Sequence, residues 1–158
     1  MGIVMKPRNQ LFAISILCAG FILVAWYLQV FKMELPCPLC VLQRYAFILI
    51  GIFCLLGAFL KRVRLFSILG SLTALVGVYL AGYQLWVIAH PVIQCGRDAL
   101  EEAVNSFWLA KAIPVLFRAE SLCSEVPDTF FVLNPPQWAL LWCVVFAIAL
   151  FRLARRGG

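Results

Sequence analysis

Long apolar stretches alternate with short polar connections along this chain. Three stretches, Leu11 to Phe31, Val41 to Leu60 and Leu65 to Ala89, each contain about 20 residues or more, enough for an α-helix to cross a hydrocarbon layer of about 30 Å. A fourth, Gln137 to Leu153, is shorter and spans the layer only if it tilts little. The pattern predicts an all-α membrane protein, with residues 1–158 forming a single domain built as a four-transmembrane-helix bundle.

The composition supports a membrane protein. Hydrophobic residues make up 65% of the chain and charged residues 13%, whereas soluble domains carry roughly 25% charged side chains. The first apolar stretch follows basic residues, as in a secretion signal, but the apolar region of a signal spans only about 7–15 residues. This one is longer and ends in bulky Val30 and Phe31, so we expect a retained anchor.

The charges predict how the bundle is oriented. Basic residues are favoured on the cytoplasmic side of a membrane, so both termini are expected in the cytoplasm and the loops 32–40 and 90–136 outside. The net charge of +6 then reflects topology, and no nucleic-acid partner is expected. In this arrangement the inner side holds Lys6, Arg8, Lys61, Arg62, Arg64, Arg152, Arg155 and Arg156, and the outer side holds Glu34, Asp98, Glu101, Glu102, Glu120, Glu125 and Asp128.

Two features predict how the helices pack. The inner connection from Lys61 to Arg64 is so short that the second and third spans must be antiparallel neighbours. Small residues on one face of the third span allow another helix to approach closely. They are Gly70, Ala74, Gly77 and Ala81.

The second outer loop is too long for a simple connector, and its middle has a helical pattern. Apolar residues recur at three- and four-residue spacing, with polar residues between them. We expect a short amphipathic helix at the outer membrane surface. Its apolar face would consist of Leu100, Ala103, Val104, Phe107 and Trp108.

Seven cysteines divide by predicted depth. Cys18, Cys54 and Cys143 lie within spans, where a thiol behaves as a small hydrophobe. The other four lie in the outer loops, where disulfides form and persist. They are Cys37, Cys40, Cys95 and Cys123.

Several arrangements of the four loop cysteines remain open. The simplest pairing joins Cys37 to Cys40 and Cys95 to Cys123, although the two loops can also exchange partners. A structural staple or a zinc site is the alternative, but a zinc site usually combines two closely spaced motifs and only one is present. Haem attachment through CxxCH is excluded because Val41 occupies the histidine position.

The CPLC sequence is placed where its sulfurs become reactive. Pro36 and Pro38 favour an extended chain at Cys37 and a helix beginning at Pro38. Cys37 is then the helix cap and Cys40 a first-turn residue. The amides and dipole at a helix N-terminus favour a thiolate, the form that exchanges.

Three polar residues are candidates for binding an electron acceptor. Arg44 lies one turn beyond Cys40 on the same helix face, where it either extends to the lipid headgroups or stabilises the Cys40 thiolate and donates to a carbonyl of an acceptor dissolved in the lipid. His90 and Gln94 follow the third span and are also consistent with simple polar ends of that helix.

Together these features resemble the disulfide bond formation protein B (DsbB) family of bacterial inner-membrane thiol oxidases, over nearly the whole chain. The features that carry the resemblance are the four spans, Cys37-Pro38-Leu39-Cys40 followed by Arg44, His90 and Gln94 after the third span, Cys95, Cys123, and Pro136-Gln137-Trp138 at the fourth span.

The resemblance implies a relay of electrons toward the membrane. A reduced periplasmic protein resembling DsbA would attack Cys95 of a Cys95–Cys123 disulfide, and Cys123 would then attack Cys37 and release Cys40. Cys40 would pass electrons to a quinone, ubiquinone or menaquinone, held by Arg44 with His90 and Gln94. The resemblance further implies a multi-pass inner-membrane protein with its active-site loops in the periplasm, and we expect a monomer without a metal.

Two other functions fit parts of the pattern. A vitamin K epoxide reductase-like enzyme also combines four helices with a CxxC, but its CxxC lies near a later span, whereas here it opens the second. A non-catalytic adaptor, stapled by disulfides or holding zinc, would contain inert disulfides or stoichiometric metal.

Overall fold

The computed structural model describes residues 6–33, 35–90, 97–124 and 132–156. Within these ranges the chain is helical, and short connections join the helices. The helices are α1 (Pro7–Lys32), α2 (Pro38–Phe59), α3 (Val63–Ala89), α4 (Arg97–Ser106), α5 (Trp108–Ala112), α6 (Pro114–Phe117) and α7 (Pro135–Arg156).

Four of these helices are long and apolar enough to cross a membrane, namely α1, α2, α3 and α7. The predicted all-α class with four spans is confirmed. All four begin earlier than the apolar stretches suggested, and three of them begin at a proline, namely Pro7, Pro38 and Pro135, because proline is well suited to the first turn of a helix. Helix α7 also continues to Arg156, so the fourth span has 22 residues rather than the shorter length predicted.

The long helices pack as neighbours in chain order. Helix α2 packs between α1 and α3, and α3 packs against α7, whereas α1 and α7 make few contacts with each other. The small-residue face of α3 lies against α7: a Cβ atom added to Gly77 would lie 2.6 Å from the sulfur of Cys143. The predicted close approach at this face is confirmed, and the bundle opens between α1 and α7.

The second loop folds back over the start of α2. Val104 from α4 packs in one cluster with Ala110, Phe117 and Val41. The predicted helical pattern runs on to Trp108, but α4 ends at Ser106 and the chain turns before α5 begins. The turn lets α5 and α6 reach the same cluster. Helix α4 contacts α2, and its position relative to a membrane surface stays a prediction.

Candidate redox site

The N-terminus of α2 presents the two sulfurs of the CPLC sequence. Cys37 is the cap of α2, with extended backbone dihedral angles, and Pro38 is the first helical residue. The Cys37 sulfur accepts a hydrogen bond from the backbone N–H of Cys40 at 3.3 Å. This capping arrangement, predicted from the two prolines, is confirmed.

The two sulfurs face each other as thiols. The Cys37 thiol donates to the Cys40 sulfur at 2.9 Å. Cys37 is 3% exposed, whereas Cys40 is only partly buried. Cys40 is therefore the sulfur that accepts the hydrogen bond and remains partly accessible.

The second loop carries Cys123 to this helix end. The carbonyl oxygen of Pro36 accepts the backbone N–H groups of Glu120 at 3.0 Å and Ser121 at 3.4 Å. The Ser121 hydroxyl donates to the carbonyl of Leu35 at 2.8 Å. The loop segment before Cys123 is thus bound to the segment before Cys37.

Asn105 holds the same segment from α4. Its side-chain oxygen accepts the N–H of Ala119 at 2.8 Å, and its side-chain nitrogen donates to the carbonyl of Ala119 at 3.1 Å. Both backbone groups of a loop residue are therefore satisfied by one side chain. This clamp couples α4 to the part of the loop that leads to Cys123.

Cys123 lies against Cys37. The two residues belong to one buried cluster with Leu39 and Val87, and their side chains are hydrogen-bonded. Hydrogen bonds with Cys123 and with Cys40, together with burial, hold the pKa of Cys37 far above its ordinary value. The sulfurs form a row in which Cys37, in the centre, keeps its proton.

A glutamine from α3 contacts both sulfurs of the CPLC pair. The side-chain nitrogen of Gln84 donates to Cys40 at 3.0 Å and to Cys37 at 3.3 Å. Its side-chain oxygen accepts from the Gln43 amide at 2.6 Å. Gln84 and Gln43 are 1% and 6% exposed, so this amide pair is part of the interior and not of the surface.

Arg44 turns toward the protein, one helical turn beyond Cys40. Its Nη1 donates to the side-chain oxygen of Gln29 on α1 at 2.8 Å and to the backbone carbonyl of Leu116 on α6. These partners hold the guanidinium between α1, α2 and the second loop. It also lines the cavity between α1 and α7.

A cavity of about 400 Å³ opens where α1 and α7 separate. Its walls are mostly apolar, with aromatic rings from α1, α2 and α7. The polar side chains that line it come from the first turns of α2 and from Gln29 on α1. The aromatic residues are Phe21, Phe47, Trp138 and Trp142, and the polar ones are Gln29, Cys40, Gln43 and Arg44.

The remaining predicted site residues lie elsewhere. His90 is the exposed cap of α3; its Nδ1 lies 3.0 Å from the carbonyl of Trp86, and the rings of the two residues pack together. His90 is not among the residues that line the cavity. Gln94 and Cys95 fall outside the described residues, and so does the predicted pairing of Cys95 with Cys123.

The buried thiols within the spans belong to the bundle core, as predicted. Cys18, Cys54 and Cys143 are at most 2% exposed and pack in the main hydrophobic cluster. Over the described ranges, no group of three His, Cys, Asp or Glu side chains is arranged to hold a metal ion.

Sequence reasoning missed the glutamines. Gln29, Gln43 and Gln84 lie inside apolar helices, and a polar side chain within a membrane span is costly and therefore a candidate for function. That signal was present in the sequence. It did not say that the three residues converge on Cys40 and Arg44, which only the packing of α1, α2 and α3 reveals.

Comparison with known proteins assigns this chain to a family. A family model described as "Disulfide bond formation protein DsbB" matches residues 7–153, nearly the whole chain. The chain belongs to the DsbB family. The predicted resemblance is thereby confirmed, and the protein with these sulfurs at the start of α2 is a member of a disulfide-forming membrane family.

Individual relatives cover the chain to a similar extent. "Disulfide bond formation protein B" of Herminiimonas arsenicoxydans is 41% identical over 96% of this chain and 97% of its own length. The protein of the same description from Cupriavidus necator is 40% identical over 92% of this chain and 91% of its own length. "Disulfide bond formation protein B 1" of Pseudomonas entomophila is 35% identical, over 96% and 95%.

Proposed function

We propose that this DsbB family member is a quinone-dependent thiol oxidase of the bacterial inner membrane. It reoxidises a periplasmic DsbA-like dithiol protein and passes the electrons to a membrane quinone. The observation that carries the proposal is the row of sulfurs Cys123, Cys37 and Cys40, which ends at an apolar cavity containing Arg44.

Electrons enter through disulfide exchange. A thiolate of the partner attacks Cys95 of a Cys95–Cys123 disulfide, so the bond between these cysteines breaks and Cys123 leaves with the electron pair. The Cys123 thiolate then attacks Cys37 of a Cys37–Cys40 disulfide, and Cys40 becomes the leaving thiolate. The hydrogen bond between Cys123 and Cys37 supports this order, because exchange requires contact between the two sulfurs.

The exchange is completed by the remaining partner thiol. It attacks the partner sulfur bound to Cys95 and releases oxidised partner together with the Cys95 thiolate. Cys95 then attacks Cys123, which restores their disulfide and leaves Cys37 as a thiol. The net result transfers two electrons and two protons from the partner to the Cys37–Cys40 pair.

The residues around the cavity fit a quinone. A quinone supplies an electron sink that takes up two electrons and two protons to become a quinol. Its ring and isoprenoid tail are apolar, in keeping with the aromatic walls of the cavity, and its carbonyl oxygens need donors. Arg44 offers several N–H donors from one guanidinium, and Cys40 lines the same cavity. A quinone bound there would contact both the Cys40 sulfur and the Arg44 donor.

The position of Arg44 favours binding over anchoring. An arginine that anchors a helix directs its charge into the headgroups, whereas Arg44 donates to Gln29 and to a loop carbonyl inside the protein. Held in this way beside Cys40, the guanidinium also stabilises negative charge on the sulfur. His90 and Gln94 stay predictions as quinone contacts.

Anaerobic quinone reduction by purified protein tests the proposal. With a reduced dithiol protein as donor and a soluble ubiquinone analogue as acceptor, we expect turnover to fall at least about hundredfold in Cys37→Ser and Cys40→Ser. Cys54→Ala, which changes a buried thiol in the same helix, should retain turnover. Equal turnover in all three variants would reject the assigned roles.

The same experiment separates the adaptor alternative, whereas the position of the CxxC separates the second enzyme. A zinc-holding adaptor would purify with stoichiometric metal and show no turnover. A vitamin K epoxide reductase-like enzyme would also pass electrons from thiols through its CxxC to a quinone, so the position of the CxxC in the chain, and not turnover, distinguishes it. The CPLC sequence lies at the beginning of the second span, and this position supports the thiol oxidase.

A further inference from the structure

The CPLC pair has a polar neighbour that neither the motif nor the family comparison assigns. Gln84 is 1% exposed on α3, a helix that carries no other side chain bonded to these sulfurs within the described residues. A buried amide is costly unless both of its ends are bonded. Here both ends are satisfied, one by Gln43 and the other by the two sulfurs.

The orientation of the Gln84 amide decides whether a hydrogen-bond donor or an acceptor faces the two sulfurs. An amide offers a donor at nitrogen and an acceptor at oxygen. Gln43 donates to the Gln84 oxygen at 2.6 Å, which leaves the nitrogen directed toward Cys40 and Cys37. With the opposite orientation, an amide oxygen would face the sulfurs and disfavour negative charge on them.

We infer that Gln84, oriented by Gln43, is a hydrogen-bond donor that stabilises the reduced form of the Cys37–Cys40 pair with Cys40 as the charge-bearing sulfur. The reason is that an N–H donor binds a thiolate more strongly than it binds a disulfide sulfur. Stabilising the reduced form makes a disulfide a stronger oxidant. The inference rests on the proposed function, since it explains why electrons move from Cys123 to this pair.

The inference predicts a change in the redox equilibrium of the pair. Quinone-free, full-length protein is equilibrated in buffers of reduced and oxidised glutathione, and the fraction of Cys37–Cys40 disulfide is measured by alkylation and peptide mass spectrometry. In this reaction two glutathione molecules lose two electrons and two protons to the disulfide. For Gln84→Met, a side chain of similar length without an N–H group, we expect the equilibrium to shift about tenfold toward the disulfide.

A matched control on the same helix separates this role from structural support. Ser71 is also buried on α3 and donates to the carbonyl of Ala147 at 3.2 Å, but it does not contact the sulfurs. Ser71→Ala should destabilise the bundle without changing the glutathione equilibrium. A second readout is the alkylation rate of Cys40, which we expect to fall in Gln84→Met and to remain unchanged in Ser71→Ala.

A second variant keeps the inference testable if Gln84→Met does not fold. Gln43→Leu leaves Gln84 in place but removes the group that orients its amide, so the equilibrium should shift in the same direction by a smaller factor. An unchanged equilibrium in whichever folded variant is measured, Gln84→Met or Gln43→Leu, would overturn the inference. An equal shift in Ser71→Ala would overturn it as well.

The glutathione measurement can be interpreted whether or not the proposed function is correct. The equilibrium is measured without quinone and without a partner protein, so it reports on Gln84 even if the protein proves unable to reduce a quinone. Conversely, normal quinone turnover by the unmodified protein together with an unchanged equilibrium in Gln84→Met would overturn the role of Gln84 alone.

Discussion

Two groups of buried thiols in this protein differ in their neighbours and not in their burial. Cys37, at the start of α2, and Cys123, in the loop packed beside it, are 3% and 4% exposed, and Cys54 in the middle of α2 is 0% exposed. Cys54 packs only in the hydrophobic core of the bundle. Cys37 and Cys40 instead meet another thiol, an amide donor and a helix N-terminus.

The comparison shows that burial alone does not decide whether a cysteine is inert. A thiol surrounded by apolar side chains keeps its proton because no group stabilises the charged form. At the start of α2 the surrounding donors and the nearby guanidinium of Arg44 stabilise charge on Cys40, while the raised pKa of Cys37 keeps the central sulfur protonated. The geometry therefore distinguishes two adjacent thiols from each other as well as from the core.

Alkylation should reveal the largest difference. In detergent-solubilised, reduced protein at neutral pH, we expect a small maleimide to modify Cys40 at least about hundredfold faster than Cys18, Cys54 or Cys143. Cys37 should react more slowly than Cys40, because its raised pKa keeps it a neutral thiol up to alkaline pH. Peptide mass spectrometry over a time course provides the rates. Similar rates for Cys40 and Cys54 would remove the distinction.

Arg44 should contribute through its geometry as well as its charge. In Arg44→Leu we expect the ratio kcat/KM for quinone to fall roughly a hundredfold or more, because a charged donor is lost from an apolar cavity. Arg44→Lys keeps the charge but not the planar group that bonds Gln29 and Leu116, so a fall of about tenfold is expected. Steady-state quinone reduction measures both.

A control on the same protein tests whether the arginine effect is local. Arg155 lies at the far end of α7 with its guanidinium 4.7 Å from the Phe151 ring. Arg155→Leu should leave quinone reduction unchanged. A fall equal to that of Arg44→Leu would indicate a general effect on the bundle.

The loop clamp should affect only the entry of electrons. Asn105→Ala removes both hydrogen bonds to Ala119, so the segment before Cys123 becomes less ordered and exchange between Cys123 and Cys37 slows by about tenfold. The Cys37–Cys40 pair can also be reduced chemically and then mixed with quinone in a stopped-flow instrument. The rate at which quinone oxidises the pair should be unchanged in Asn105→Ala. If both steps slow equally, the clamp supports the whole site.

A substitution in the core should produce the smallest change in activity. Gly77→Ala places a Cβ atom 2.6 Å from the sulfur of Cys143, so the Cys143 side chain or the packing of α3 against α7 must shift, at a cost of about 1–3 kcal/mol of stability. We expect a lower melting temperature with quinone reduction per folded molecule close to normal. A selective loss of quinone reduction without a change in melting temperature would show that this interface also shapes the cavity.

Much of the fold follows from patterns that one helix carries by itself. Apolar length predicted the four spans, and Pro36 and Pro38 predicted the cap at Cys37, because the residues involved are adjacent in the chain. Spacing also placed Arg44 on the face of Cys40. The pattern was less informative at the start of α7, which begins at Pro135. It was also less informative after Ser106, where α4 ends and the second loop packs against α2.

The site depends on contacts between segments far apart in the sequence. Gln84 is 44 residues from Cys40 and Leu116 is 72 residues from Arg44, and neither contact is marked by any local pattern. For the same reason the sequence did not separate His90, at the exposed end of α3, from residues that line the cavity.

By itself, the sequence determined the membrane character of the chain, its helical spans and the placement of two thiols at a helix N-terminus, since apolar length and proline position act within a few turns. Tertiary structure alone decided which groups surround those thiols. Helix packing brings the Gln84 amide to Cys40, and it brings Gln29 and the Leu116 carbonyl to the Arg44 guanidinium, while the folded loop brings Cys123 to Cys37. The charge that a sulfur can bear depends on donors within about 3–4 Å, and such distances are fixed only when the helices have packed.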